Sequence, residues 1–170
     1  MYTKSCTLSL MRQHRYTIHL KWAGNLGVGT QSYKAYSRDF EVRAPGKPVF
    51  QGSADPAFRG STEKYNPEEM LVAALSSCHK LWYLHLCAEA GITVTAYEDD
   101  ASGLMAETKD GGGHFEWVRL QPKVSILESS ALAQAQALHD RAHSLCFIAN
   151  SCNFPVHCEP VILLADEQGS

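Results

Sequence analysis

A chain of 170 residues is long enough for one domain that buries most of its apolar surface. Its formal net charge of -3 is mixed along the chain, so no basic field recruits phosphates and a nucleic-acid partner is not expected. The most apolar stretch, residues 70–87, is interrupted by His79, Lys80 and His85, which argues against a membrane span. With no signal-type apolar run near Met1, a cytoplasmic location is expected.

Residues 16–22 alternate Tyr16, Ile18, Leu20 and Trp22 against Thr17, His19 and Lys21, the period of a half-buried strand. Gly24, Asn25, Gly27 and Gly29 follow as a turn. Weaker strand signals at residues 32–36 and 39–43 complete an expected antiparallel meander. A loop carrying Pro45, Pro48, Gly52, Pro56 and Gly60 separates it from a helix.

That helix starts with Asn66 as cap, Pro67 in first position, and Glu68 and Glu69 at the positive dipole end. It should run to about Glu89 and stop at Gly91. One face carries Leu71, Ala74, Leu75, Cys78, Leu81, Trp82 and His85, with further apolar residues around it. Such a helix is expected to be central and buried.

Strands are expected over residues 92–97, 103–107, 114–120 and 123–127, with a connection at 110–113. After Ser129 and Ser130, Leu132, Ala135, Leu138, Ala142 and Leu145 have helical spacing, and this second helix should end near Cys146. Pro155 and Pro160 bound an irregular segment before a last strand at 161–164. The order indicates an α+β architecture, read as one domain over residues 1–170 with residues 1–13 as an N-terminal arm.

The six cysteines, at 6, 78, 87, 146, 152 and 158, are sparse for a disulfide scaffold and should be thiols. Cys146, Cys152 and Cys158 lie near His143 and His157 but lack the C-x2-C spacing of structural zinc. No metal or cofactor is expected. Cys78 stands among Ser76, Ser77 and His79 in mid-helix. A cysteine there is ordinarily a small buried hydrophobe. His79 points about 100° away from it and His85 lies about 10 Å further along the axis, so neither pairs with it as a base. A thiolate at Cys78 also gains little from the helix dipole, which fades within the first turn. It needs a cation from outside the helix, and Arg59, in the AFRG segment, is nearest in sequence.

The run YNPEEMLVAALSSCHKLWYLHLCAEAGITV, with Cys78 ten residues after Glu68, resembles the central helix of the osmotically inducible protein C (OsmC) and organic hydroperoxide resistance (Ohr) superfamily. RAHSLCFIANS is similar to the second-cysteine motif of that superfamily, and HLKWAGNLGVGT to its opening strand and turn. The resemblance covers roughly residues 14–165.

It implies an OsmC-like fold, with antiparallel sheets around a long buried helix, in an intertwined homodimer. It implies a peroxidase for organic hydroperoxides, in which Cys78 is peroxidatic, Cys146 resolving, Arg59 activating and Glu68 its orienting carboxylate. An external dithiol of the dihydrolipoyl type would be the reductant. Arg38 and Arg43 are alternatives to Arg59, as in Ohr-type members, and Cys152 is an alternative to Cys146. Phe147 follows Cys146 where the family commonly has proline. The competing readings are a catalytically silent OsmC-like module binding a small apolar ligand, and a cysteine hydrolase, for which no nucleophile and base can be paired.

Overall fold

The computed structural model describes residues 12–165. Cys6 and nearly all of the expected N-terminal arm lie outside the described residues. The chain divides into two compact units, one ending at Asn66 and the other beginning at Pro67.

In the first unit, strands β1 (His19–Trp22), β2 (Phe40–Arg43) and β3 (Phe50–Gly52) form an antiparallel sheet in that order. Trp22 pairs with Phe40, and Phe40 with Gly52. A Cβ at Gly52 would sit 2.4 Å from the Phe40 ring, so only glycine lets that ring lie across β3. The turn after β1 is built by Asn25, whose side-chain oxygen accepts from the N–H groups of Gly27 and Gly29.

Two expectations fail in this unit. Residues 32–36 form turns and bends rather than a strand. Arg38 explains this: its guanidinium lies 4.2 Å from the centres of both the Tyr33 and Tyr36 rings and donates to both of their carbonyls. Those carbonyls are thereby taken from any ladder. The third strand comes instead from residues 50–52, inside the stretch expected to be loop.

The second unit begins with α1 (Pro67–Glu89), whose bounds match the expected start and stop. Gly91 has φ 70°. Its N–H donates to the Ala88 carbonyl and that of Ile92 to the Cys87 carbonyl, the paired bonds of a Schellman cap. Next come β4 (Val94–Asp99), β5 (Ser102–Glu107), β6 (Gly113–Leu120), β7 (Pro122–Ile126), α2 (Leu132–Leu145), β8 (Val156–Cys158) and β9 (Val161–Leu164).

They make two three-stranded sheets, β4-β7-β9 and β5-β6-β8. The expected antiparallel pairing holds for β4–β7 and β5–β6, and each pair gains a parallel strand, β9 on β7 and β8 on β6. A parallel partner needs a crossover, and the segment containing α2 supplies it for both. β8 occupies the segment expected to be irregular. Pro155 and Pro160 flank its three residues, and borrowed pairing from β6 makes it a strand.

The buried row of α1 differs from the expected one. Leu75, His79, Tyr83 and Cys87 are buried, an i, i+4 row. Leu81 is 64% exposed and His85 is exposed as well, so the helix is buried along one row rather than all round. Packing selects the row: Tyr83 and Cys87 join Val124 and Ile126 of β7 and Ala135 and Ala142 of α2 in one core cluster, and Leu75 joins Val118 and Leu120 of β6 in another. Among the described residues, no helix is long and apolar enough to cross a membrane.

Candidate active site

Cys78 sits near the middle of α1, half-buried. Cys146 caps the C-terminus of α2, where ψ turns to 108° and its N–H donates to the His143 carbonyl. It is only 1% exposed. Cys78 is near enough to Cys146 to act on its thiol. Burial pushes the Cys146 thiol up to about 11, opposed first by the Ala149 N–H, which lowers it, and aided less strongly by the neighbouring Cys78. That N–H lies 3.5 Å from the Cys146 sulfur. The site thus holds two neighbouring thiols, one half-buried on α1 and one closed at the end of α2, on helices that pack together.

The missing proline after Cys146 is replaced by local bonding. Asn150 N–H donates to the Cys146 carbonyl at 3.0 Å, and residues Ala149–Ser151 close a 3-10 turn. Phe147 is free to swing outward, 67% exposed, with its ring edge-on to Trp82 at 5.6 Å. Cys152 is occupied nearby, its Sγ donating to the Ile148 carbonyl at 3.3 Å.

Glu68 is half-buried in the first turn of α1. Ten helical residues put it about 15 Å along the axis from Cys78. Arg59 belongs to the first unit. It closes a 3-10 turn over Pro56–Phe58 that Asp55 caps through the Ala57 N–H, and it has φ 65°. A non-glycine residue there is held against its preference. Gly60 makes the turn feasible, because a Cβ there would lie 1.5 Å from the Ala54 carbonyl oxygen. Of the alternatives, Arg38 is engaged by Tyr33 and Tyr36, and Arg43 pairs with Glu41 at 2.8 Å.

A second sulfur lies among imidazoles. His79 Nε2 is 2.9 Å from His139 Nδ1, and Cys158 Sγ is 3.5 Å and 4.0 Å from those two atoms. Sequence reasoning missed this cluster. It weighed Cys158 only with its chain neighbours, whereas the partners come from α1 and α2. The available signal was a histidine on each of two apolar helix faces, His79 beside Leu75 and Tyr83, and His139 beside Ala135 and Ala142.

Residues 60–160 match the model of the OsmC family, described as OsmC-like protein. Among solved structures, the chain is similar to an OsmC-like protein of unknown function from Vibrio cholerae, with 30% identity, a TM-score of 0.79, and coverage of 88% of this chain and 100% of that one. An organic hydroperoxide resistance protein from Elizabethkingia anophelis, with thiocyanate bound, is 19% identical with a TM-score of 0.63, covering 91% of this chain and 100% of that one. Another organic hydroperoxide resistance protein, from Legionella pneumophila, is 18% identical with a TM-score of 0.62, covering 88% and 98%. At those lower identities the likeness is one of fold. No curated protein matches the sequence.

Proposed function

Given that this chain belongs to the OsmC-like protein family, we propose that it is a cysteine-based peroxidase that reduces organic hydroperoxides through Cys78 and Cys146. The observation that carries this reading is a half-buried Cys78 on α1 beside a closed Cys146 at the end of α2, on helices that pack together. A partly open cysteine beside a closed one suits a nucleophile that meets substrate first and a resolving thiol that waits behind it.

The Cys78 thiolate attacks the distal peroxide oxygen. The O–O bond breaks, the alkoxide leaves and takes up a proton as an alcohol, and Cys78 becomes a sulfenic acid. The Cys146 sulfur then displaces hydroxide from it, which leaves as water, and a disulfide forms. An external dithiol reopens that bond by exchange and becomes the oxidised product.

Arg59 favours the thiolate and donates to the peroxide, with Glu68 orienting the guanidinium. The exposed Leu81 and Phe147 and half-buried Trp82 offer an alkyl group an apolar surface, so alkyl hydroperoxides should outcompete hydrogen peroxide. Leu75, fully buried in the core, takes no part in that surface.

The working form is a cytoplasmic homodimer. Tyr16, Ile18, Leu20 and Trp22 are all exposed, Tyr16 to 87%. A row of large apolar side chains at alternate positions along β1 and the residues before it is a surface that a second copy would cover.

The test is one equivalent of an alkyl hydroperoxide added to the reduced protein, followed by peptide mapping. A Cys78–Cys146 disulfide is expected, and in the Cys146→Ser variant a sulfenic acid that can be trapped at Cys78. A Cys78–Cys152 bond would move the resolving role. Recovery of both thiols unmodified would sink the peroxidase reading.

A further inference from the structure

His79 is buried in α1 and His139 in α2, while Cys158 ends β8, half-buried. The imidazoles are fixed before any ligand arrives. Their rings are within 10° of parallel, and the Tyr83 ring stacks on His139 with 3.8 Å between centroids. Read as a hydrogen-bonded pair, the histidines share one proton and leave His79 Nδ1 and His139 Nε2 buried without a partner among the described residues.

We propose that His79, His139 and Cys158 bind a zinc ion, with a fourth position left for water or a small ligand. The three donor atoms lie within 4.8 Å of one another. Their separations of 2.9, 3.5 and 4.0 Å admit a single ion at zinc bond lengths, with the angle between the two nitrogens closed to about 90°. An ion about 2.05 Å from both nitrogens and about 2.3 Å from the sulfur can be placed about 0.6 Å outside their plane. Three corners of a tetrahedron give nearly that height, so the fourth corner remains open. No carboxylate belongs to the donor set, which disfavours calcium and magnesium.

The surrounding charge acts in the same direction. Asp99, Asp140 and Glu159 all oppose a thiolate at Cys158 and, after burial, help push it up to about 12. That negative field favours an incoming dication. Burial, and then the neighbouring His143, hold His79 down at about 4, while burial and then His79 hold His139 at about 3. Both imidazoles therefore keep a free lone pair at neutral pH. Zinc binding releases the Cys158 thiol proton to solvent, shifts the proton between the two facing nitrogens to the outer nitrogen of its own ring, and leaves a singly positive centre.

The site is independent of the peroxidase reading, and its test removes the redox pair. The full-length chain carrying Cys78→Ser and Cys146→Ser is titrated with Co2+, as a zinc surrogate, in the presence of a phosphine reductant. One equivalent should bind with a near-ultraviolet thiolate-to-cobalt charge-transfer band and the visible bands of four-coordinate cobalt, and Zn2+ should displace it. Adding Cys158→Ala should abolish the charge-transfer band. Adding His139→Gln should weaken cobalt binding at least about tenfold. If His139→Gln fails to fold, Cys158→Ser is read instead and should weaken binding comparably. Absence of the band in the parent, or its persistence undiminished in the Cys158 variants, would overturn the assignment.

Discussion

Cys78 and His79 are neighbours on one helix, yet they lead into two sulfur sites of different character. Cys78 neighbours another thiol, at the end of α2. His79, about 100° further round, joins the buried row of α1 and meets an imidazole from α2 and a thiol from β8. Cys146 and Cys158 are both thiols pushed up by burial, to about 11 and about 12. Their neighbours divide them. In the proposed readings, a neighbouring sulfur suits Cys146 to disulfide chemistry, whereas two imidazoles and the charges of Asp99, Asp140 and Glu159 suit Cys158 to a cation. Burial sets the resting state of each thiol, and the adjacent donor sets what can change it.

The sharpest way to break this contrast is a crossed pair of variants. Cys78→Ser should lower hydroperoxide turnover by about three orders of magnitude or more, because it removes the nucleophile, and should leave cobalt binding intact. Cys158→Ala should do the reverse, with turnover within about threefold of the parent. A variant that abolishes both readouts would merge the two sites into one.

The two sides of α1 can be compared by stability. Leu75→Ala, in the buried row, should cost about 2–5 kcal/mol through transfer and cavity terms. Leu81→Ala, at a side chain 64% exposed, should cost no more than about 0.5 kcal/mol in an isolated chain. Denaturant unfolding measures both. A Leu81 cost that grows with protein concentration would place that side chain in the proposed dimer interface.

Arg59→Met should slow sulfenic acid formation roughly ten- to hundredfold, the worth of about 1.5–3 kcal/mol for a charge-assisted hydrogen bond. Stopped-flow mixing with an alkyl hydroperoxide reads it, and an unchanged rate would return the role to Arg38 or Arg43. The smallest expected effect is on Cys146. The neighbouring Cys78 raises it, so in Cys78→Ala the pH of half-maximal Cys146 alkylation should fall below about 11. An unmoved profile would mean that burial alone sets it.

What could be read beforehand divides along the same line. The bounds of α1 were legible because Pro67 and Gly91 act locally, through a fixed φ and a left-handed stop. Cys78 and Cys146 were singled out beforehand only through the family motifs around them, the spacing of Cys78 from Glu68 and the segment around Cys146. The buried row of α1 was not legible, because hydropathy counts His79 as polar while the packed helix pair accepts it as an aromatic surface. Residues 32–36 misled for a related reason, since Tyr33 and Tyr36 read as strand formers until Arg38 claims their rings and carbonyls. The strand β8 and the cluster at Cys158 depend on pairing with β6, more than thirty residues earlier in the chain, which no local pattern announces.

β8 has three residues, aligned so that Val118, Arg119 and Leu120 of β6 face Val156, His157 and Cys158. Along this strand exposure alternates, with His157 outward between two half-buried neighbours. Side chains of a strand change face with every step, so slipping β8 by one position would withdraw Cys158 and present His157 in its place. The pocket would then offer three imidazoles and no sulfur, a harder donor set with a different preference among metals. The register of one short strand therefore acts as a selector for the chemical identity of the guest, and a single inserted residue before Val156 would be enough to reset it.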